Sequence, residues 1–174
     1  SLALFPLGTG NDLARTLGTG LSLSQATRCF ASGHTREIDV GFVSGQAFLS
    51  VAGCGFDAAV ANRKNTGFRF LRGTSAYLAS VLTTLRTYQA SLVKVTVDNR
   101  RFEGKAMLCA VANGRFYGGG MMVAPHAEID DGLFEVCIVG EVGRAEFIRV
   151  FPKVFRGIHT SHPKVTMMRG AKVC

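Results

Sequence analysis

The sequence is poor in charge and in the signatures that usually announce chemistry. Only 18% of its 174 residues are charged, beside 47% that are apolar. That balance excludes a wholly disordered chain and supplies enough apolar surface for a core. Acids are the scarcer sign, 12 against 20 Lys and Arg, which leaves a net charge of +8. Nucleic acid, an anionic membrane surface or nucleotide phosphates would each answer that charge, as would an inert basic surface. The five cysteines (Cys29, Cys54, Cys109, Cys137 and Cys174) are odd in number and form no C-x-x-C pair. A disulfide framework and a structural zinc site are thereby excluded, and reduced, mostly buried thiols are expected in a reducing cytosol. No apolar run reaches the roughly 18–20 residues of a spanning helix, and no basic-then-apolar leader is seen. The opening Ser1-Leu2-Ala3-Leu4-Phe5 reads instead as the middle of a strand, so a piece of a longer protein is expected. Absent as well are a Walker G-K-[ST], a dinucleotide fingerprint, EF-hand ligand spacing, and a Ser or Cys nucleophile with a matching base. No internal repeat or low-complexity linker divides the chain.

What is present is glycine, 21 residues of it, marking tight turns and close backbone approaches. Leu2–Leu7 reads as a short buried strand, and residues 11–17 as a helix with Leu13, Ala14 and Leu17 on one face. Ser22-Leu23-Ser24-Gln25 forms a capping box for a helix to about Ser32, closed by Gly33. Ile38, Val40 and Phe42 alternate with Glu37, Asp39 and Gly41 as a strand, Ser44-Gly45 turns a hairpin, and residues 46–52 return. A short helix is expected over 57–62, a basic loop over 63–72, and a longer helix over 75–87 with Leu78, Leu82 and Leu85 at helical spacing. Val93, Val95 and Val97 restore the period of two, Asp98-Asn99 turns the chain, and residues 101–113 pair back. Residues 133–139 form a further strand, 143–157 a helix bent or ended by Pro152, and 165–168 a last strand. Strands joined by hairpins predict an α+β, mainly β fold: an antiparallel β-sandwich with two to three helices.

Two segments could carry chemistry. In Pro6-Leu7-Gly8-Thr9-Gly10-Asn11-Asp12-Leu13-Ala14-Arg15 a glycine turn opens a helix, where outward N–H groups attract phosphate. Asp12 would repel that phosphate unless a divalent cation or water lies between them, and the plain alternative is that it helps cap the helix. The second segment runs from Gly118-Gly119-Gly120 through Ala124-Pro125-His126-Ala127-Glu128 to Asp130-Asp131-Gly132-Leu133. Three consecutive glycines are costly in chain entropy, and the Asp-Asp-Gly turn offers oxygens suited to Mg²⁺ or Ca²⁺, although it is more often a plain turn. Asp39 should face solvent or a cleft, and Asp57 could cap a helix. Arg63, Lys64, Arg69 and Arg72 with Phe68 and Phe70 make a basic-aromatic stretch able to meet lipid headgroups or RNA.

Together these segments, with Gly53-Cys54-Gly55-Phe56-Asp57 and Asn113-Gly114 in order between them, resemble the diacylglycerol/sphingosine kinase superfamily, most closely its bacterial lipid-kinase branch. The resemblance implies the second domain of a two-domain NAD-kinase-like or diacylglycerol-kinase fold, with the active site in the cleft. On it, residues 1–20 are a strand, glycine loop and helix left from the nucleotide-binding domain, and 21–174 are the truncated sandwich. Gly8, Thr9, Gly10 and Asn11 carry over as ATP-binding positions. Asp12 carries over as the catalytic carboxylate of a water network around Mg²⁺, and Asp131 with carbonyls near Glu128 and Leu133 as an accessory Mg²⁺ site. Asp39 and Asp57 carry over as substrate-side positions. The family's Gly-Gly-Asp-Gly-Thr and Asp-Gly-Glu motifs are not in this sequence, so the 174 residues alone are expected to be inactive. The expected whole is a cytoplasmic lipid kinase, peripheral at the membrane, using ATP and Mg²⁺ on diacylglycerol or a related lipid. Its missing N-terminal domain is the expected partner, nucleic acid is not expected, and a homodimer is left open. The rival readings are a NAD kinase-like phosphotransferase and a non-enzymatic module binding RNA or membrane.

Overall fold

The computed structural model describes residues 2–56, 58–60 and 74–174. Asp57 and the basic-aromatic stretch at 63–72 lie outside the described residues, as does the rest of 61–73.

The first helix, α1 (Asp12–Leu17), is short, and α2 (Leu23–Ala31) begins with the expected capping box: the Ser22 hydroxyl accepts from the Gln25 N–H, and the Gln25 amide oxygen accepts from the Ser22 N–H. A small antiparallel hairpin follows, β1 (Gly41–Val43) and β2 (Gln46–Phe48), with positive φ at Ser44 and Gly45 as a two-residue turn requires. Then come β3 (Val51–Gly55), α3 (Thr74–Thr87), β4 (Ser91–Val97), β5 (Arg100–Ala112) and β6 (Phe134–Gly140). Helix α4 (Arg144–Val150) passes into a 3₁₀ helix (Phe151–Arg156) and a second one (Ile158–Ser161), before β7 (Val165–Gly170). Pro152 sits at the start of the first 3₁₀ helix, where its missing N–H costs nothing.

β5 organises the large sheet. Its first half pairs with β4 and its second half with β3 on one edge, while β6 takes the other edge and β7 pairs with β6, all antiparallel. A bulge lies between Ala106 and Leu108, where β5 changes partners. Beyond β7 the chain returns to β4: Val97 bridges Val173, and Thr96 and Cys174 exchange both backbone hydrogen bonds. The sheet thus curls, and its two faces bury different residues. Val95, Val97, Val136 and Ile138 fill the inside of the curl. Ala110, Ala112 and Cys137 pack on the opposite face against Val123, Ala124 and Ala127 of the β5–β6 connection. Alternation along β6 sends Val136 and Ile138 one way and Cys137 the other, and all three are fully buried. Burial of a side chain such as Ile138 contributes about 1.5–3 kcal/mol. The fold is the expected α+β class with antiparallel sheets.

Two sequence expectations fail locally. Residues 2–7 form no strand, and Leu2 and Leu7 are 92% and 79% exposed. An apolar run becomes a strand only where another strand accepts its hydrogen bonds, and among the described residues none does. The strand expected from Glu37 begins only at Gly41, because the Asp39 N–H donates to Ile129 O in a loop rather than to a neighbouring strand.

Candidate functional site

The glycine turn at 8–11 is tied to itself by one side chain. Asn11 Oδ1 accepts from the Gly8 N–H, and its Nδ2 donates to Pro6 O and Gly8 O. Asn11 takes a left-handed backbone, φ 51 and ψ 37, and its side chain closes the loop rather than capping α1. The next side chain leaves the helix altogether. Asp12 accepts from the Gly119 N–H through Oδ2 (2.8 Å) and from the Gly120 N–H through Oδ1 (2.7 Å), 107 and 108 residues away in sequence. Both are charge-assisted hydrogen bonds, and they answer the alternative that Asp12 merely caps α1.

That clamp explains the three glycines. Gly118, Gly119 and Gly120 have φ of 64, 92 and 100, a run of left-handed geometry that only glycine adopts cheaply. The backbones also touch: a Cβ on Gly10 would lie 3.4 Å from Gly119 Cα, and one on Gly114 would lie 3.0 Å from Thr16 Oγ1. Arg15 Nε donates to Gly10 O within the first segment, and a Cβ on Gly120 would lie 3.6 Å from the Arg15 guanidinium carbon. The first and second sequence segments therefore meet.

The Asp-Asp-Gly turn has a different set of partners. Asp39 Oδ2 accepts from the Gly132 N–H at 2.6 Å, Asp39 O accepts from Asn113 Nδ2, and Arg36 pairs with Asp130 at 2.6 Å. Asp39 also lines an open, partly polar cavity of about 330 Å³ with Asn113 and Gly132. Asp131 Oδ1 accepts from the Leu133 N–H, and its other oxygen pairs with Arg169, which also approaches Glu135 at 3.5 Å. Burial pushes the Glu135 carboxyl up, and Arg169 opposes that rise. Asp12 and Asp131 are thus anchored on two stretches of the same β5–β6 connection, by separate contacts. The Asp131 carboxylate is neutralised by a guanidinium, so it does not present bare oxygens to a dication. Among the described residues no group of three or more His, Cys, Asp or Glu could hold a metal ion.

Sequence reasoning missed Arg169, Arg15 and the role of Asn113. Asn113 is fully buried and joins Asp39 O and Leu49 O. Its one sequence signal is an amide ending the apolar run of β5. Arg169 is paired through a tertiary contact and left no local signal.

On the face of β5 and β6 that carries Cys137 lies an apolar chamber of about 100 Å³, walled by Phe56, Met107, Met121, Phe147, Phe151 and Val154 among others. Its polar exceptions include His159 and His162. His159 is 4% exposed with Nε2 3.9 Å from Cys137 Sγ. Burial pulls its imidazole below the usual range, with the Val123 backbone opposing, and burial pushes the Cys137 thiol up to about 12.

Two family models match the chain. Residues 50–174 match the family model described as the YegS C-terminal NAD kinase beta sandwich-like domain, and residues 1–43 match the diacylglycerol kinase catalytic domain. The chain is 30% identical to the diacylglycerol kinase of Bacillus subtilis (strain 168), over 99% of this chain and 57% of that protein. It is 35% identical to a candidate YegS-like lipid kinase of Pseudomonas aeruginosa (strain UCBPP-PA14), over 80% of this chain and 46% of that one. A crystal structure of a candidate diacylglycerol kinase from Bacillus anthracis str. Sterne superposes with TM-score 0.70 at 25% identity, covering 95% of this chain and 54% of that chain. The chain spans about half the length of the relatives it matches. The chain belongs to the bacterial lipid-kinase branch of the diacylglycerol kinase superfamily, and most of it matches that branch's C-terminal sandwich-like domain.

Proposed function

We propose that this chain works as part of an ATP-dependent kinase that transfers the γ-phosphate to the hydroxyl of diacylglycerol or a related lipid. The observation that carries the reading is the Asp12 carboxylate held between the Gly119 and Gly120 amides. It aligns a nucleotide-type glycine turn with the sandwich at one seam. Phosphoryl transfer depends on positioning and charge stabilisation more than on covalent chemistry by the protein, and a rigid seam is what such positioning needs.

In this reading Gly8, Thr9, Gly10 and Asn11 line the nucleotide phosphates. Their loop is held shut by the Asn11 amide, so backbone rather than side-chain bulk faces the ligand. Asp12 uses two lone pairs on Gly119 and Gly120 and keeps others for water. Its fit to a hydrated Mg²⁺ network rests on that acceptor capacity. Mg²⁺ would supply charge neutralisation at the transferring phosphoryl group. The accessory site at Asp131, with Glu128 and the Leu133 carbonyl, fits a dication only after Arg169 lets go of Asp131. The apolar chamber suits part of an acyl chain, having room for about 100 Å³ between the sheet and the α4 segment. Asp39, fixed to Gly132, borders the polar cavity and is placed to meet a headgroup. Among the described residues no helix is long and apolar enough to cross a membrane.

The test is transfer of labelled phosphate from ATP, by the whole protein that carries this chain, to diacylglycerol in mixed micelles and separately to NAD. Labelled lipid is expected. Labelled NAD with unlabelled lipid would move the protein to the NAD kinase chemistry. The 174 residues alone are expected to transfer none.

A further inference from the structure

The segment from 144 to 158 has two unlike sides. Phe147, Val150, Phe151 and Val154 point inward and wall the apolar chamber. On the outside, Ile148, Pro152 and Phe155 follow one another at i, i+4, i+7, and Arg149, Lys153 and Arg156 run beside them at the same spacing. All six are exposed. Ile148 is 55% exposed, Phe155 45%, and Ile158, just past the turn at Gly157, 46%. Three large apolar side chains held in solvent beside a row of cations need a partner that is both greasy and negative. The segment's one carboxylate, Glu146, is turned away and already paired with Lys164 (3.0 Å) and His162 (3.3 Å). Nothing acidic on the segment therefore offsets the outer row.

We propose that the outer face of residues 144–158 is a docking surface for an anionic lipid bilayer, with Ile148, Phe155 and Ile158 entering the headgroup boundary and Arg149, Lys153 and Arg156 pairing with lipid phosphates. The inference rests on the lipid-kinase reading and adds to it the route of supply. The same stretch of chain that lies on the bilayer is the wall of the chamber, so a lipid would pass into the protein without crossing water. Charge complementarity selects this occupant: a neutral apolar partner would leave the cations unpaired, and free phosphate would leave the apolar row in water.

The experiment is sedimentation of the whole protein that carries this chain, without nucleotide, with phosphatidylcholine vesicles that contain or lack phosphatidylglycerol, at low and high salt. Binding is expected only with phosphatidylglycerol and should weaken as salt rises. Each basic residue near such a surface is worth about 1 kcal/mol, or roughly fivefold. Arg149→Gln/Lys153→Gln/Arg156→Gln should therefore lower partition about a hundredfold. Ile148→Ser/Phe155→Ser should weaken binding at high salt, where charge is screened. The control Arg28→Gln/Lys94→Gln/Lys172→Gln, which removes equal charge elsewhere, should leave partition within a few-fold. Circular dichroism checks that each variant folds. The proposal is overturned if the wild type ignores phosphatidylglycerol, as it would if the face serves a protein partner or another part of a longer chain. It is also overturned if the control loses as much as the test variant, or if only neutralising Arg63, Lys64, Arg69 and Arg72 releases the vesicles. Phosphorylation of detergent-dispersed diacylglycerol bypasses docking, so it reports on the kinase reading separately.

Discussion

Replacing Asp12 by Asn keeps the size of the side chain and removes half of what it does. A carboxylate accepts from both glycine amides, one through each oxygen, at 2.8 and 2.7 Å. Asn offers a single acceptor, so one amide N–H then faces an NH₂ group, and the surviving bond loses its charge assistance. Hydrogen bonds to a charged group contribute about 1.5–3 kcal/mol each. Gly119 is exposed, so water repairs part of the loss there. The net cost should be about 2 kcal/mol, which for a chain of this size lowers Tm by about 4–8 °C. Thermal unfolding followed by circular dichroism measures it, with Asp130→Asn as the control. That carboxylate is also paired, to Arg36, but both side chains are largely exposed, 53% and 40%, and such pairs contribute at most about 1 kcal/mol. If Asp12→Asn destabilises no more than Asp130→Asn, the clamp does not hold the seam and the reasoning fails.

Three further outcomes follow from the geometry. Burial holds the His159 imidazole below its ordinary 6.5, so the unfolded chain binds that proton first. Its stabilising contribution is present above 6.5 and is lost as pH falls from there through the folded value. Urea midpoints should drop over that window in the wild type and flatten in His159→Phe. Arg169→Gln frees the Asp131 carboxylate and should strengthen Mg²⁺ or Ca²⁺ binding by calorimetry, whereas unchanged or weaker binding would remove the accessory site. Cys137, with its thiol pushed up to about 12 and fully buried, should resist alkylation until the protein unfolds, while exposed Cys29, Cys54 and Cys174 react in the native state.

What could be read from the sequence was local. Ser22 and Gln25 specify a helix start through their own side chains, and Ser44-Gly45 and Asp98-Asn99 turn because positive φ is tolerated there. Val93, Val95 and Val97 show a period of two because one face of β4 is buried. The glycine turn and the triple glycine were each visible, and their order suggested the family. Their meeting was not visible, since the Asp12 bond to Gly119 joins residues 107 apart. The same holds for Asp39 with Gly132, 93 apart, and Arg169 with Asp131, 38 apart. Local pattern misled where tertiary context decided: residues 2–7 look like a strand by composition but have no strand to pair with among the described residues, and Glu37–Val40 alternates yet gives its Asp39 N–H to a loop. The sequence of residues 143–157 marks a helix bent at Pro152, but which of its rows faces solvent depends on the chamber walled by Phe147, Val150, Phe151 and Val154.

The most direct measurement is the turnover of diacylglycerol phosphorylation by the whole protein, wild type against Asp12→Asn, with saturating ATP and Mg²⁺ and at a temperature where both are folded. Loss of a preorganised electrostatic group at a phosphoryl-transfer site predicts a fall in kcat of at least about a hundredfold. An Asp12→Asn enzyme that turns over within a few-fold of wild type would contradict the placement of the reaction at this seam.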